Sequence, residues 1–170
     1  MMASMDNGGG DNYFILFNYA GAIIKGFDHE SKMSPYAHES GTIWENILDN
    51  VPQEFQAFLS EPAFMVEDTT FCLWRRYTDA SWQIGRINYP EADEDADGSR
   101  WILSLLKNTP FDYREWAQDY HGQEIDLEAV KAVYEHQLLT DEIIKNLNAD
   151  LSLADVAADI EEIGYASVAI

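Results

Sequence analysis

A chain of 170 residues, 46% of them hydrophobic, is long enough to bury one sizeable core and falls within the length of a single domain. Thirty-one acids against ten bases leave a formal charge of −21, which repels nucleic-acid phosphates and anionic membranes and makes both poor partners. A lone cysteine, Cys72, excludes an intramolecular disulfide and a cysteine-rich zinc site, and it fits a reducing cytoplasm better than a secreted scaffold.

The first twelve residues, MMASMDNGGGDN, are Gly-rich and polar and read as a flexible lead outside the fold, leaving 13–170 as one globular domain. From Tyr13, YFILFNYAGAIIKGFD gives two β-rich runs around Asn18–Gly21. This is a hairpin whose continuous hydrophobicity predicts a central position in a sheet, covered on both faces. The run is too short to span a bilayer, is broken by Asn18 and Gly21 and follows no basic leader, so no membrane association is expected. Residues 28–42 read as a loop. Ile43, Trp44, Ile47 and Leu48 then share one helical face, and Pro52 opens a second helix carrying Phe55, Phe58 and Leu59 until Glu61-Pro62 stops it.

TTFCLWRRYTDASWQIGRINY is a second hairpin with its turn at Thr78–Ser81, which brings the count to about four strands. From Ser99 the pattern turns helical, with Trp101, Ile102, Leu105 and Leu106 on one face. Thr109-Pro110 with Asp112 combines an N-cap, a first-turn proline and a capping-box acid. Leu127, Val130 and Tyr134 mark another helix, and Thr140 opens a short one through Leu147. Ser152 with Asp155 caps a last one carrying Leu153, Val156, Ala157, Ile160 and Ile163 before Gly164. The expected architecture is α+β, a small antiparallel sheet of two hairpins packed against a helical C-terminal half.

Motifs that bind nucleotides or activate a serine are absent from the sequence: there is no G-x-G-x-x-G, no G-x-x-x-x-G-K-[ST] and no G-x-S-x-G. Asp93, Asp95, Asp97 and Gly98 match the first half of a calcium loop, with the Ser99 carbonyl at the seventh position. Trp101 and Ser104 stand where a water-held ligand and a bidentate glutamate belong. The cage therefore lacks its closing ligand, and calcium binding there is expected to be millimolar or nil. The plainer reading is a turn at Asp97-Gly98 with Asp97 or Ser99 capping the next helix. His29-Glu30-Ser31 and His38-Glu39-Ser40 repeat H-E-S in the loop-like region, where imidazoles and carboxylates could converge on a metal, yet the spacing fits no metal motif. His121 and His136 read as structural, and Cys72, between Phe71 and Leu73, as an inert core thiol.

Trp74, Arg76, Trp82 and Arg86 crowd the second hairpin, with Trp74 and Arg76 on one face and Arg75 and Tyr77 on the other. Trp, Tyr and Arg are the types enriched at binding hot spots, so these four form a candidate binding surface; the competing reading is that the arginines pair internally with carboxylates. Charge is uneven as well. From Glu115 onward there are thirteen acids and two bases, Lys131 and Lys145. Two functions remain. One is a soluble acidic interaction or inhibitor module, immunity-like in its acidity, that docks a basic partner. The other is a small metal-assisted hydrolase using His29, His38 and the acids of 93–97. The first is favoured because no recognised spacing of ligands, or of nucleophile and base, supports the second.

Overall fold

A computed structural model describes residues 1–90, 95–104, 106–107 and 109–168. The fold is α+β, and the chain divides into two compact units, Met1–Leu105 and Leu106–Ile170. The first unit is a five-stranded antiparallel meander, β1 (Met2–Asp6), β2 (Asn12–Phe17), β3 (Gly21–Phe27), β4 (Phe71–Arg76) and β5 (Gln83–Ile84), in sheet order β1-β2-β3-β4-β5.

Residues 1–12 are not a lead outside the fold. Met2–Asp6 pairs with β2 from Met2↔Leu16 to Asp6↔Asn12. The Gly-rich segment is the connecting turn, held by Asn7 and Asp6 side chains that accept from the Gly9 and Gly8 amides. The first expected hairpin is β2–β3. Asn18 closes its turn, its amide bonding Gly21 O at 2.9 Å and its side chain accepting from Ala20 N at 2.8 Å. Gly21 is required there: its φ is +151°, and a Cβ would lie 2.1 Å from the Arg75 carbonyl of β4. The second hairpin is lopsided, because β5 is only two residues long.

Alternation sorts the strands onto two cores, so β3 is covered on both faces as its hydrophobicity predicts. Ile23, Cys72 and Trp74, flanked by Phe14 and Leu16, pack on Met33, Ile47, Val51, Phe55, Phe58 and Leu59. On the other face Tyr13, Ile15, Ile24 and Phe71 close on Ile102 of the short helix α2 (Ser99–Leu103). The helix expected around Ile43–Leu48 is instead a run of turns, with Ile47 N bonded to Trp44 O and Asp49 N to Asn46 O. Asn46 and Asn50 sit at φ 69° and 64°, a left-handed conformation that a helix cannot contain. The apolar residues still reach the core; only the conformation differs. Helix α1 (Gln56–Leu59) follows Pro52 and a 3-10 turn at Gln53–Phe55.

The second unit is helical: α3 (Pro110–His121), α4 (Leu127–Tyr134), α5 (Asp141–Leu147) and α6 (Ala157–Ile163). Thr109 Oγ1 accepts from Asp112 N at 3.1 Å and donates to its carboxylate at 2.7 Å, and Gly122 ends α3 at φ +66°. Asp126 and Thr140 cap α4 and α5. Ser152 and Asp155 bond as expected but close a turn, and α6 begins only at Ala157. Leu139, Ile144, Leu153 and Ile160 make this unit's own core, with Tyr165 and Val133 against it. Among the described residues no helix is long and apolar enough to cross a membrane.

Candidate functional site

Both units are acidic, and the helical one carries its surplus on the shorter stretch of chain. Leu106–Ile170 carries fourteen acids and four bases. All of these acids except Asp141 are exposed. Three of the bases are engaged by acids of their own helix: Arg114 with Glu115 at 3.6 Å, Lys131 with Glu128 at 2.6 Å, and Lys145 with Asp141. The carboxylate surplus is thus a property of the folded surface, spread over all four helices. The caps add to it, because Asp112, Asp126 and Asp141 stand near helix N-termini, where the peptide dipoles stabilise them without neutralising them.

The Trp–Arg group of the second hairpin does not form one surface. Trp74 is buried opposite Ile23, because the face it shares with Cys72 is the one that packs on the 33–59 segment. Arg76 is half-buried and its Nε lies 3.4 Å from Glu54, so this arginine has the internal carboxylate that competes with a docking role. The Arg76 pair pulls the Glu54 carboxyl down, after the larger effect of a backbone hydrogen bond. Trp82 and Arg86 are exposed, Trp82 at 43%, and remain available as contact residues.

Of the calcium-loop acids, Asp93 lies outside the described residues. Asp95 accepts from the Arg100 and Trp101 amides at 2.8 Å each, so both its oxygens are turned onto the start of α2. Asp97 is buried; it accepts from Ser99 N at 2.9 Å and the Tyr89 hydroxyl at 3.3 Å, and its own carbonyl receives Thr70 Oγ1. The two carboxylates thus accept the amides that begin α2, while the Asp97 backbone carbonyl ties the loop to Thr70 beside β4. Burial, with Asp97 beside it, pushes the Tyr89 hydroxyl up to about 12.

A different acid pair is brought together. The register Asn12↔Phe27 sets Asp11 and Asp28 at neighbouring ends of β2 and β3, and with His29 they place one ligand atom each within 4.8 Å of one another. Among the described residues, Asp11, His29 and Asp28 are grouped so that they could hold a cation. The first two already satisfy each other: Asp11 accepts from His29 Nδ1 at 2.7 Å, from His29 N at 3.1 Å and from Asn7 Nδ2 at 2.7 Å. Burial pushes the Asp11 carboxyl up, but the hydrogen bonds from His29 and Asn7 outweigh it and hold it below the usual range. The bond to Asp11 raises the His29 imidazole, and burial raises Asp28, which lies against Gly98. His38 is elsewhere: its Nδ1 bonds Ser40 Oγ at 2.7 Å within one turn, and its ring packs edge-on against Trp44. The two H-E-S copies therefore do not converge on one group.

Sequence reasoning also passed over Lys25, which is 1% exposed on the same face as Ile23. Its Nζ donates to Met65 O at 2.9 Å, at a residue held in the left-handed region at φ 45°. Burial drives the ammonium down to about 8, against the pull of Asp68, Glu67 and Cys72. Cys72 opposite it is pushed up to about 12 by burial, an inert thiol as expected. Compared with protein-family models, with curated proteins and with solved structures, the chain matches none.

Proposed function

We propose that the protein is a binding module whose acidic helical unit docks a basic protein partner. The observation that carries this reading is that three of the helical unit's four bases pair within their own helices while thirteen of its fourteen carboxylates stay exposed. Such a surface steers cations from a distance and raises the association rate, an effect that salt screens beyond about 10 Å at 0.1 M. The test is binding of an oligolysine peptide to the full chain at low and high salt, followed by fluorescence anisotropy. Affinity is expected to fall by roughly tenfold or more between about 0.05 and about 0.5 M salt. Salt-insensitive binding, or none at low salt, refutes it.

The alternative, a metal-assisted hydrolase, keeps one supporting observation, the grouping of Asp11, Asp28 and His29. It predicts that zinc or manganese binds stoichiometrically to the native chain and that Asp28→Asn abolishes the binding. Calorimetry showing no such heat removes it.

A further inference from the structure

We propose that the aromatic stripe of α3 and the carboxylates beside it recognise an arginine-bearing segment of the basic partner. This rests on the docking role of the helical unit and adds to it a side-chain chemistry. Residues 112–120 read DYREWAQDY, in which each aromatic follows a carboxylate: Asp112-Tyr113, Glu115-Trp116 and Asp119-Tyr120. Steps of three and four residues bring the aromatics onto one stripe of the helix and the acids onto the stripe beside it.

The rings form a ladder. Tyr113 and Trp116 have centroids 5.7 Å apart, and Trp116 and Tyr120 stack at 5.4 Å with 20° between planes. The ladder is anchored at one end, where Tyr113 lies 6.2 Å from Tyr134 of α4 and the Tyr134 hydroxyl donates to Lys107 O. It opens at the other, where Tyr120 is 72% exposed. Ala117, between the rings on the same side of α3, is 1% exposed, so half-buried Tyr113 and Trp116 flank the helix's packed side and the ladder is open to solvent at its Tyr120 end.

Charge selects the occupant. Asp112, Glu115 and Asp119 are all exposed along the stripe, and Asp119 neighbours Trp116 at three residues' separation. A second copy of this chain would bring the same negative surface against itself, whereas a cation is drawn to both the carboxylates and the ring faces. Between the two basic side chains the geometry favours arginine. Its planar guanidinium stacks on Trp and Tyr rings while its edge donates to a carboxylate; a lysine ammonium is more strongly hydrated and has no plane to stack.

The test compares an oligoarginine and an oligolysine of equal length and charge, titrated into the full chain and into Trp116→Leu and Tyr120→Leu. Far-UV circular dichroism checks the fold, and Tyr120 supplies a variant at an exposed position should Trp116→Leu unfold. The expected result is arginine binding on the order of tenfold tighter than lysine binding. Each variant should erase most of that difference while leaving the lysine peptide unchanged. Equal binding of the two peptides, or variants that weaken both alike, overturns the strip while the acidic docking role stands. If neither peptide binds at low salt, both fall together.

Discussion

Replacing Lys25 by Met tests the physics of the buried ammonium. The substitution keeps most of the alkyl stem in a site that is 1% exposed and removes the charge. In the native chain burial lowers this group from 10.5 to about 8. Because the folded value lies below the unfolded one, the unfolded chain binds the extra proton between pH 8 and 10.5, and stability rises with pH across that window. Below it both states are protonated and the net cost of holding the buried charge, about 3 kcal/mol, weighs on the fold. Met removes that penalty but leaves the Met65 carbonyl without its donor, a loss of roughly 1–3 kcal/mol. At neutral pH the two nearly cancel, so the diagnostic quantity is the pH dependence. Urea unfolding of both proteins at about pH 7 and about pH 10 is expected to show the native chain gaining about 2–3 kcal/mol relative to the variant. Titration of the tyrosines and of Cys72 is largely common to both proteins and drops out of that difference. A difference that does not change with pH refutes the reasoning, since it would mean that Lys25 titrates alike in the folded and unfolded chains.

Gly21→Ala puts a methyl 2.1 Å from the Arg75 carbonyl at φ +151°, and should destabilise by at least about 2 kcal/mol in the same urea assay. His29, raised by its bond to Asp11, should titrate by NMR with a midpoint above 6.5 and fall back in Asp11→Asn. Its contribution to stability is complete below 6.5 and is lost as pH rises through the folded value. Calcium should give no stoichiometric micromolar heat in calorimetry, because Asp95 and Asp97 are turned onto the amides that begin α2; such a heat would show that the loop rearranges around the ion.

Local signals were the legible ones. The cap at Thr109-Pro110-Asp112 involves residues within one turn of each other, so the sequence displays nearly all the atoms concerned. The β2–β3 hairpin was equally plain, its turn chemistry lying in Asn18 and Gly21. Strand β1 was not, since MASMD has little β preference and gains its pairing only from β2, across the Gly-rich turn. The apolar spacing of Ile43–Leu48 signalled burial correctly and helix wrongly, because two left-handed asparagines interrupt what the spacing alone would continue. The Asp11–Asp28–His29 group needed the β2–β3 register, which sets residues 17 positions apart side by side. Trp74 needed knowledge of which face the 33–59 segment would cover.

Cys72 gives the sheet a built-in clock. It is the chain's lone thiol, it is 1% exposed, and it belongs to the sheet unit and not to the helices. A thiol-reactive dye can reach it only when the 33–59 segment lifts from that face or the sheet itself opens, so the labelling rate counts openings of that unit alone. Helical ellipticity, carried chiefly by the other unit, reports melting there. Two independent readouts from one unmodified molecule thus reveal whether the two units unfold in a single cooperative event or in sequence.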